Sequence, residues 1–246
     1  MKQKLLIDAD VILYRFSFAN ENRIEFDPGD ELYNLDPASA KSDADAFIDE
    51  LRDKLKIEDY LLCFSDDQNF RKTIFPAYKA NRRKNRKPQL IKPLKRYLRS
   101  NHPFRLIRKL EADDVIGILA TRHPGRYVIC SIDKDFLQIP GEFYNWNNGE
   151  FRRISEAEAD YWHKIQTLIG DTVDNYKGCP NIGPVKAHRA LEDDDSWDTV
   201  FSLFESKGLD YDYFLTQARM ARILRDSDYN AKKNEVILWT PPNDTE

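Results

Sequence analysis

Short apolar runs recur along this chain, and acid follows each of them. Lys4–Ile7, Tyr60–Phe64, Arg105–Arg108 and Tyr127–Cys130 have the length and composition of strands. Between the first two, Phe47, Leu51 and Leu55 recur on one helical face with Ile48 beside them, which predicts a helix over Asp43–Leu55 capped by Ser42 or Asp43. A second helix is expected over Asp113–Ala120, where acids suit the positive N-terminal dipole. The alternation predicts an α/β fold with a mostly parallel central sheet flanked by helices. Residues 20–42 are polar, with Asp27-Pro28-Gly29-Asp30 and Asp36-Pro37, and read as an extended loop or insertion. From Tyr161 onward the spacing turns helical, with a last strand expected at Val236–Trp239.

Charge changes this picture more than composition does. The 246 residues carry a net charge of −4, yet Arg71 to Lys109 holds 15 Lys and Arg and no Asp or Glu. Phe75, Tyr78, Tyr97 and Phe104 are interleaved there. A charge run is often only a solvated face, but an acid-free run of this length has the profile of a phosphate-binding strip. Pro88 and Pro93 divide it, so two short helical pieces or a loop are expected rather than one long helix. The three cysteines lie far apart with no CxxC pair, which fits a reducing cytoplasm and argues against a disulfide framework or a cysteine zinc site. No uncharged run reaches the length of a membrane-spanning helix, and Met1-Lys2-Gln3-Lys4 leads straight into the first strand-like run, so no signal peptide is read. No membrane association is expected.

The acids after the apolar runs carry the candidate chemistry. Asp8 and Asp10 follow the first, Asp66 and Asp67 the second, Glu111, Asp113 and Asp114 the third, and Asp133 and Asp135 the fourth. One such Asp is usually a turn residue or a helix cap. In a parallel sheet, however, all of these ends lie on one edge, where ligands collect. Converging carboxylates repel unless a cation neutralises them, and hard divalent ions prefer such oxygen-rich sites. A metal-dependent phosphoryl-transfer or hydrolysis site is the leading reading. A further pair, Asp171 and Asp174, precedes Gly178-Cys179-Pro180-Asn181-Ile182-Gly183-Pro184-Val185-Lys186. That spacing suits a helix–hairpin–helix turn that aims backbone N–H groups at a phosphate.

In order along the chain, the blocks LLIDADVILYR (5–15), Asp66 with Phe70-Arg71, Tyr78-Lys79-Ala80-Asn81-Arg82, Glu111-Ala112-Asp113-Asp114, Ser131-Ile132-Asp133-Lys134-Asp135 and Gly170–Asn175 with Gly178–Lys186 resemble the 5′→3′ exonuclease and flap endonuclease family, a PIN-like nuclease group. The C-terminal Gln217–Arg225 and Ile237-Leu238-Trp239 are similar to the short 5′→3′ exonucleases of tailed phages. The resemblance implies a PIN-like, resolvase-like nuclease core over 1–160, with a shortened basic arch over about 79–110, and a helical DNA-binding region over 161–246. It implies catalysis by Asp8, Asp66, Glu111, Asp113, Asp133, Asp135, Lys79 and Arg82. Metal would be held by Asp8, Asp66, Glu111, Asp113, Asp114 and Asp133, with Asp135, Asp171 and Asp174 at a second ion. Nucleic acid would meet Arg71, Tyr78, Lys79, Arg82, Arg83, Lys84, Gly178, Gly183 and Lys186. Mg²⁺ or Mn²⁺ is the implied cofactor, as two ions, and K⁺ is the candidate at the hairpin turn. The implied substrate is DNA with a 5′ end, whether duplex, nicked or flapped, with RNA–DNA hybrid as a further candidate. The implied protein is a cytoplasmic monomer, in the host cytoplasm if phage-encoded. Asp10 takes no role from the resemblance.

Two rivals stay on the table. Leu5-Leu6-Ile7-Asp8-Ala9-Asp10 resembles the Asp-x-Asp block of haloacid-dehalogenase-type phosphatases, but their later acidic block follows a strand, whereas residues 162–168 here have helical spacing. A noncatalytic nucleic-acid-binding module would keep the basic strip but not the full set of acids. The four histidines show no metal spacing, and the four tryptophans read as packing residues.

Overall fold

The computed structural model describes residues 2–25, 31–84 and 86–242; the side chains of residues 25, 31, 83 and 84 lie outside that description. In chain order the elements begin with β1 (Lys4–Asp8), α1 (Ala9–Ala19), β2 (Glu21–Glu25), β3 (Glu31–Leu35), α2 (Pro37–Leu55), β4 (Tyr60–Phe64), α3 (Arg71–Ile74), a 3₁₀ turn Ala80–Lys84, α4 (Ile91–Asn101), β5 (Phe104–Leu106), α5 (Ala112–Arg122) and β6 (Tyr127–Ser131). A 3₁₀ turn Lys134–Gln138, β7 (Gly141–Asn145), β8 (Glu150–Ile154), α6 (Glu156–Ile169), α7 (Pro184–Ala190), α8 (Trp197–Glu205), α9 (Tyr211–Ala221), β9 (Tyr229–Asn230) and β10 (Glu235–Val236) complete it.

The sheet runs β5-β4-β1-β6-β7-β8, parallel except for the terminal β7–β8 hairpin. Alternation along the strands divides the core. Leu6, Cys63, Ile129 and Phe143 face α5 and the C-terminal segment, while Leu5, Ile7, Leu62, Phe64, Val128 and Cys130 face α1, α2 and α4. A separate apolar cluster joins α6 to α9 around Ile165, Leu168, Trp197, Phe204 and Phe214. The expected α/β fold with a mostly parallel sheet is therefore present. β1 lies between β4 and β6, so the sheet switches direction of growth there, and the carboxyl ends of β1, β4, β5 and β6 share one edge.

Several expectations change. Residues 20–42 are not a loop: β2 and β3 form an antiparallel hairpin with Ile24 opposite Leu32, and α2 opens at Pro37. Its cap is Asp36, whose carboxylate accepts from Ser39 N at 2.9 Å, and not Ser42 or Asp43. Proline at the first helical position costs no hydrogen bond, so Asp36-Pro37 was the true start signal. Pro93 sits in the first turn of α4 for the same reason. The strand expected over 236–239 is only β10, paired with β9. The β7–β8 hairpin had no long apolar run to announce it; its signal was the turn Asn147-Asn148-Gly149, with Gly149 at φ 73°. Among the described residues no helix is long and apolar enough to cross a membrane.

Gly117, in the middle of α5, shows how closely the C-terminal segment is applied to the core. A Cβ there would collide with the Leu224 carbonyl oxygen and lie 2.9 Å from Ile139 Cδ1. Alanine normally stabilises a helix interior over glycine by about 1 kcal/mol. Here Gly117→Ala is expected to destabilise by about 2 kcal/mol or more in urea unfolding, because backbone must move to admit the methyl; a stabilised variant would contradict this packing.

Candidate active site

The acid edge is built by strand ends and the turns that leave them. Asp8 closes β1 and caps α1, accepting from Asp10 N at 3.2 Å and Val11 N at 3.4 Å, while Ser131 Oγ at the end of β6 donates to it at 2.9 Å. Asp133 caps the 3₁₀ turn after β6, accepting from Asp135 N at 2.9 Å. At the start of α5 the Glu111 N–H donates to Asp114 at 3.3 Å and the Asp114 N–H to Asp113 at 2.7 Å. The carboxylates of Glu111, Asp113 and Asp114 lie within 4.8 Å of one another, close enough to share a cation.

Burial and mutual repulsion push most of these acids toward neutrality. Asp8 is raised to about 7, by burial first and then by Asp10 and Asp133. Asp135 is raised to about 7 by burial, Asp133 and Asp171. Asp113 rises well above the ordinary range through burial, Asp114 and Glu111. Asp133 is exposed as a residue, yet enough protein surrounds its carboxyl for desolvation, and then Asp174, to raise it. Glu111 runs the other way: against burial, Lys79 and Arg71 hold it at about 2. These mutual influences join acids from β1, β6, the α5 turn and the loop after α6 into one electrostatic unit.

Asp10, which sequence reading left without a role, belongs to this unit. Burial raises it, and it lies close enough to Glu111 to feel its charge. It accepts from Ser65 N at 3.4 Å, while Ser65 Oγ accepts from Ala112 N at 2.9 Å and Lys95 Nζ donates to Ser65 O at 2.8 Å. The signal was present as the Asp-x-Asp spacing. Asp66 stands apart. Its carboxyl is held below the usual range chiefly by the Lys109 N–H at 2.7 Å, then by the amides of Asp67 and Gln68 and by Lys95.

Other expected residues are placed differently. Arg71 cannot meet nucleic acid: its side chain is 2% exposed. Its Nη1 donates to Asp114 at 2.7 Å and Glu111 at 3.1 Å, and its Nη2 donates to Asp114 at 2.7 Å and to the Arg222 carbonyl at 2.6 Å. Asp114, fully buried, also accepts from Leu224 N at 3.1 Å and Glu111 N at 3.3 Å. Four donors already meet that carboxylate. Tyr78 is also buried, with its hydroxyl between Glu111 and Asp174 at 2.9 Å from each. Lys79 is paired with Glu111 and Asp174, and Arg82 with Asp174. Asp171 caps its own loop, accepting from Val173 N at 2.6 Å. Arg83 and Lys84 have side chains outside the described residues.

The hairpin turn after α6 is also more inward-looking than its spacing suggests. Gly178 has φ 63° and packs against Gly170 and Leu168, where a Cβ would strike backbone. Its N–H donates to the buried Gln217 Oε1 at 2.9 Å and is not offered to a phosphate. Lys186 Nζ donates to Asn181 O at 3.0 Å, which puts an ammonium on the turn where K⁺ was expected. Gly183, the cap of α7, remains exposed. Because α6 precedes Asp171, the acidic block follows a helix, which removes the phosphatase rival.

Comparison with known proteins adds to this geometry. Residues 3–162 match the family described as 5′-3′ exonuclease, N-terminal resolvase-like domain. The exodeoxyribonuclease of Enterobacteria phage T3 is 33% identical, with 74% of this chain and 73% of that protein covered. The exonuclease of Escherichia phage T7 is 30% identical over the same shares. The D15 flap endonuclease of phage T5, solved in a complex with DNA and metal ions, superposes with a TM-score of 0.68 over 89% of both chains at 13% identity, a likeness of fold.

Two measurements test the electrostatics. An acid raised above its unfolded value makes the folded state bind more protons, so stability is lost as pH rises through the interval between the two values. For Asp135 that interval runs from the ordinary carboxylate range to about 7. Asp135→Asn is therefore expected to raise Tm by a few degrees at about pH 8 in EDTA and to change it little at about pH 4. Arg71→Lys, which keeps the charge but not the two-pronged geometry, is expected to cost about 3 kcal/mol in urea unfolding; a neutral outcome would mean that the pair with Asp114 does not hold the site together.

Proposed function

This chain belongs to the 5′–3′ exonuclease family, and from that membership we propose that it degrades DNA from 5′ ends, hydrolysing phosphodiester bonds with two Mg²⁺ or Mn²⁺ ions and leaving 5′-phosphate products. One observation carries the chemistry: the acid edge holds more carboxylates than it can keep ionised without a cation. The donors are all carboxylate oxygens, which suits a hard divalent ion rather than zinc or copper.

In this reading Asp8, Glu111, Asp113 and Asp133 hold one ion, and Asp135, Asp171 and Asp174 hold the other. When bound, such ions supply an activated water and neutralise charge on the leaving oxygen. Asp10 acts beside Asp8 through Ser65, whose hydroxyl fixes the amide between Glu111 and Asp113. Asp66 pins the Lys109 turn that delivers Glu111, and Asp114 anchors Arg71; neither is assigned as a ligand. Lys79 and Arg82 hold Glu111 and Asp174 in place and bring positive charge to the edge where phosphate charge develops.

Exposed Lys72, Lys92, Arg96, Arg99 and Arg108 continue the strip away from the edge and are assigned to backbone phosphates, with the exposed Gly183 end of the hairpin and the 161–246 helical region as the second contact. Phosphate contacts do not read the sugar, so RNA in RNA–DNA hybrids is included as a substrate. The arch region is clamped down. Leu94 and Leu98 of α4 are in the core, and Arg86 pairs with the buried Glu21 at 2.7 Å. A 5′ strand is therefore assigned a path over this segment rather than through it.

On 5′-labelled duplex DNA with Mg²⁺, Asp113→Asn is expected to lose at least about a thousandfold in kcat with its fold intact, a loss in the range set by removal of charge-stabilising groups. A 5′ flap blocked by a bulky end group is expected to be cut about as fast as a free one. Undiminished activity in Asp113→Asn would sink the metal assignment, and strong inhibition by the blocking group would sink the path.

A further inference from the structure

Ser65, the residue after β4, meets three other parts of the chain at once. Its N–H donates to Asp10 Oδ1 at 3.4 Å, its hydroxyl oxygen accepts from Ala112 N at 2.9 Å, and its carbonyl accepts from Lys95 Nζ at 2.8 Å. Ala112 lies between Glu111 and Asp113, so the Ser65 hydroxyl fixes the amide that sets where those two carboxylates stand. Asp66, the next residue, accepts from Lys109 N at 2.7 Å and holds the approach to the same turn. The end of β4 is thus the joint between the start of α1 and the start of α5.

Lys95 reaches this joint from α4. Its neighbours on the helix surface are Lys92, three positions before, and Arg99, four positions after, and both are exposed. Leu94 and Leu98 fix the helix to the core. Lys95 itself is half-buried, with its ammonium 6.0 Å from the centre of the Phe64 ring, and its charge is felt by both Asp10 and Asp66. A lysine that only awaited a phosphate would keep its ammonium in water and its rotamers free. Lys95 instead commits one of its three N–H donors to a backbone carbonyl at the end of a strand. Groups that orient metal-holding side chains without touching the ion commonly change metal affinity or activity by about 10- to 100-fold when removed.

We propose that Lys95 is a positioning residue for the reaction: through the Ser65 carbonyl it holds the joint that sets Glu111 and Asp113, and so ties the helix that carries the outer cations to the acid edge. This rests on the nuclease reading for the reaction that is positioned.

Charge and position have opposite consequences here. Removing a lysine from beside a cation site relieves repulsion, so a purely electrostatic role tightens metal binding in Lys95→Met, whereas a positioning role weakens it. Mn²⁺ binding to the full chain without DNA is read from the paramagnetic resonance signal of the free ion. Lys95→Met is expected to bind Mn²⁺ about tenfold more weakly, and Lys95→Arg, which keeps the charge and a donor, within about twofold of the unmutated protein. Ser65→Ala is expected to weaken binding too. With the hydroxyl gone, moving the joint no longer moves Ala112, so the Lys95→Met/Ser65→Ala double variant is expected to be about as weak as the weaker single one. Thermal melting checks each fold, and Lys95→Ala serves if Lys95→Met does not melt cooperatively. No saturable Mn²⁺ binding by the unmutated chain, unchanged or tighter binding in Lys95→Met, or additive losses in the double variant overturns the proposal. On duplex DNA at fixed Mg²⁺, kcat of Lys95→Met is expected to fall about tenfold with KM for DNA nearly unchanged. A raised KM at unchanged kcat also overturns the proposal, because it marks Lys95 as one more phosphate contact. Weakened Mn²⁺ binding in Lys95→Met, when the unmutated chain degrades no DNA, refutes the nuclease reading and leaves the positioning role standing. Cleavage that Lys95→Met does not change does the reverse.

Discussion

The buried guanidinium of Arg71 is the interaction on which the acid edge depends. It joins α3, the start of α5 and the segment after α9 through two bonds to Asp114, one to Glu111 and one to the Arg222 carbonyl. Burying such a pair is expensive, and it persists only where geometry is good and the remaining lone pairs are met. The extra bonds from Leu224 N and Glu111 N to Asp114 supply that. The same C-terminal segment continues to Arg225, which donates to the Gln138 carbonyl at 2.8 Å and pairs with Asp160 at 2.7 Å. Both acidic turns, one before α5 and one after β6, therefore hang on a segment 110 and 87 residues further along the chain, and Gly117 is what lets that segment approach.

The edge is also electrically uneven. Glu111 is kept ionised by Lys79 and Arg71, while Asp8, Asp113 and Asp135 drift toward the neutral form. A folded state that must take up protons near neutral pH is destabilised by its own site, which is the usual trade between activity and stability. Lys79 marks where the trade is closest. It sits at φ 55°, a conformation a side chain rarely adopts, with its N–H on Asp174 O at 2.9 Å and its ammonium on Glu111 and Asp174. The left-handed turn lets one residue bridge the acids of the core and the acids of the loop after α6.

Much of this was legible from local pattern. The strands β1, β4 and β6 and the helix after β5 follow from apolar runs and their punctuation, because each is stabilised by burial that periodicity reports. The edge as a meeting place of acids follows from parallel topology. What pattern could not show is which charged groups face inward. Arg71, Tyr78 and Asp114 sit in blocks that look like surface chemistry, but long-range contacts bury them: residues 222–224 meet Arg71 and Asp114, and Tyr176, Met220 and Ala221 pack on Tyr78. Likewise Gly178 has the spacing of a phosphate turn, but its N–H is claimed by Gln217, 39 positions along the chain. The hairpins β2–β3 and β7–β8 were missed because their strands are too polar to be read as runs.

The basic strip shows the same limit most clearly. Its lysines and arginines are uniform in composition but not in fate. Arg71 is inside, Lys79 and Arg82 are spent on carboxylates, Arg86 is tied to Glu21, and Lys95 reaches Ser65 beside Asp10. What is left exposed includes Lys92, Arg96 and Arg99 on α4. Positive charge on this segment is thus divided between exposed groups, several of them on α4, and groups paired beside the acid edge. The cations beside the acids are already oriented by the carboxylates they neutralise, so the edge is preorganised by the same ion pairs that tie its elements together.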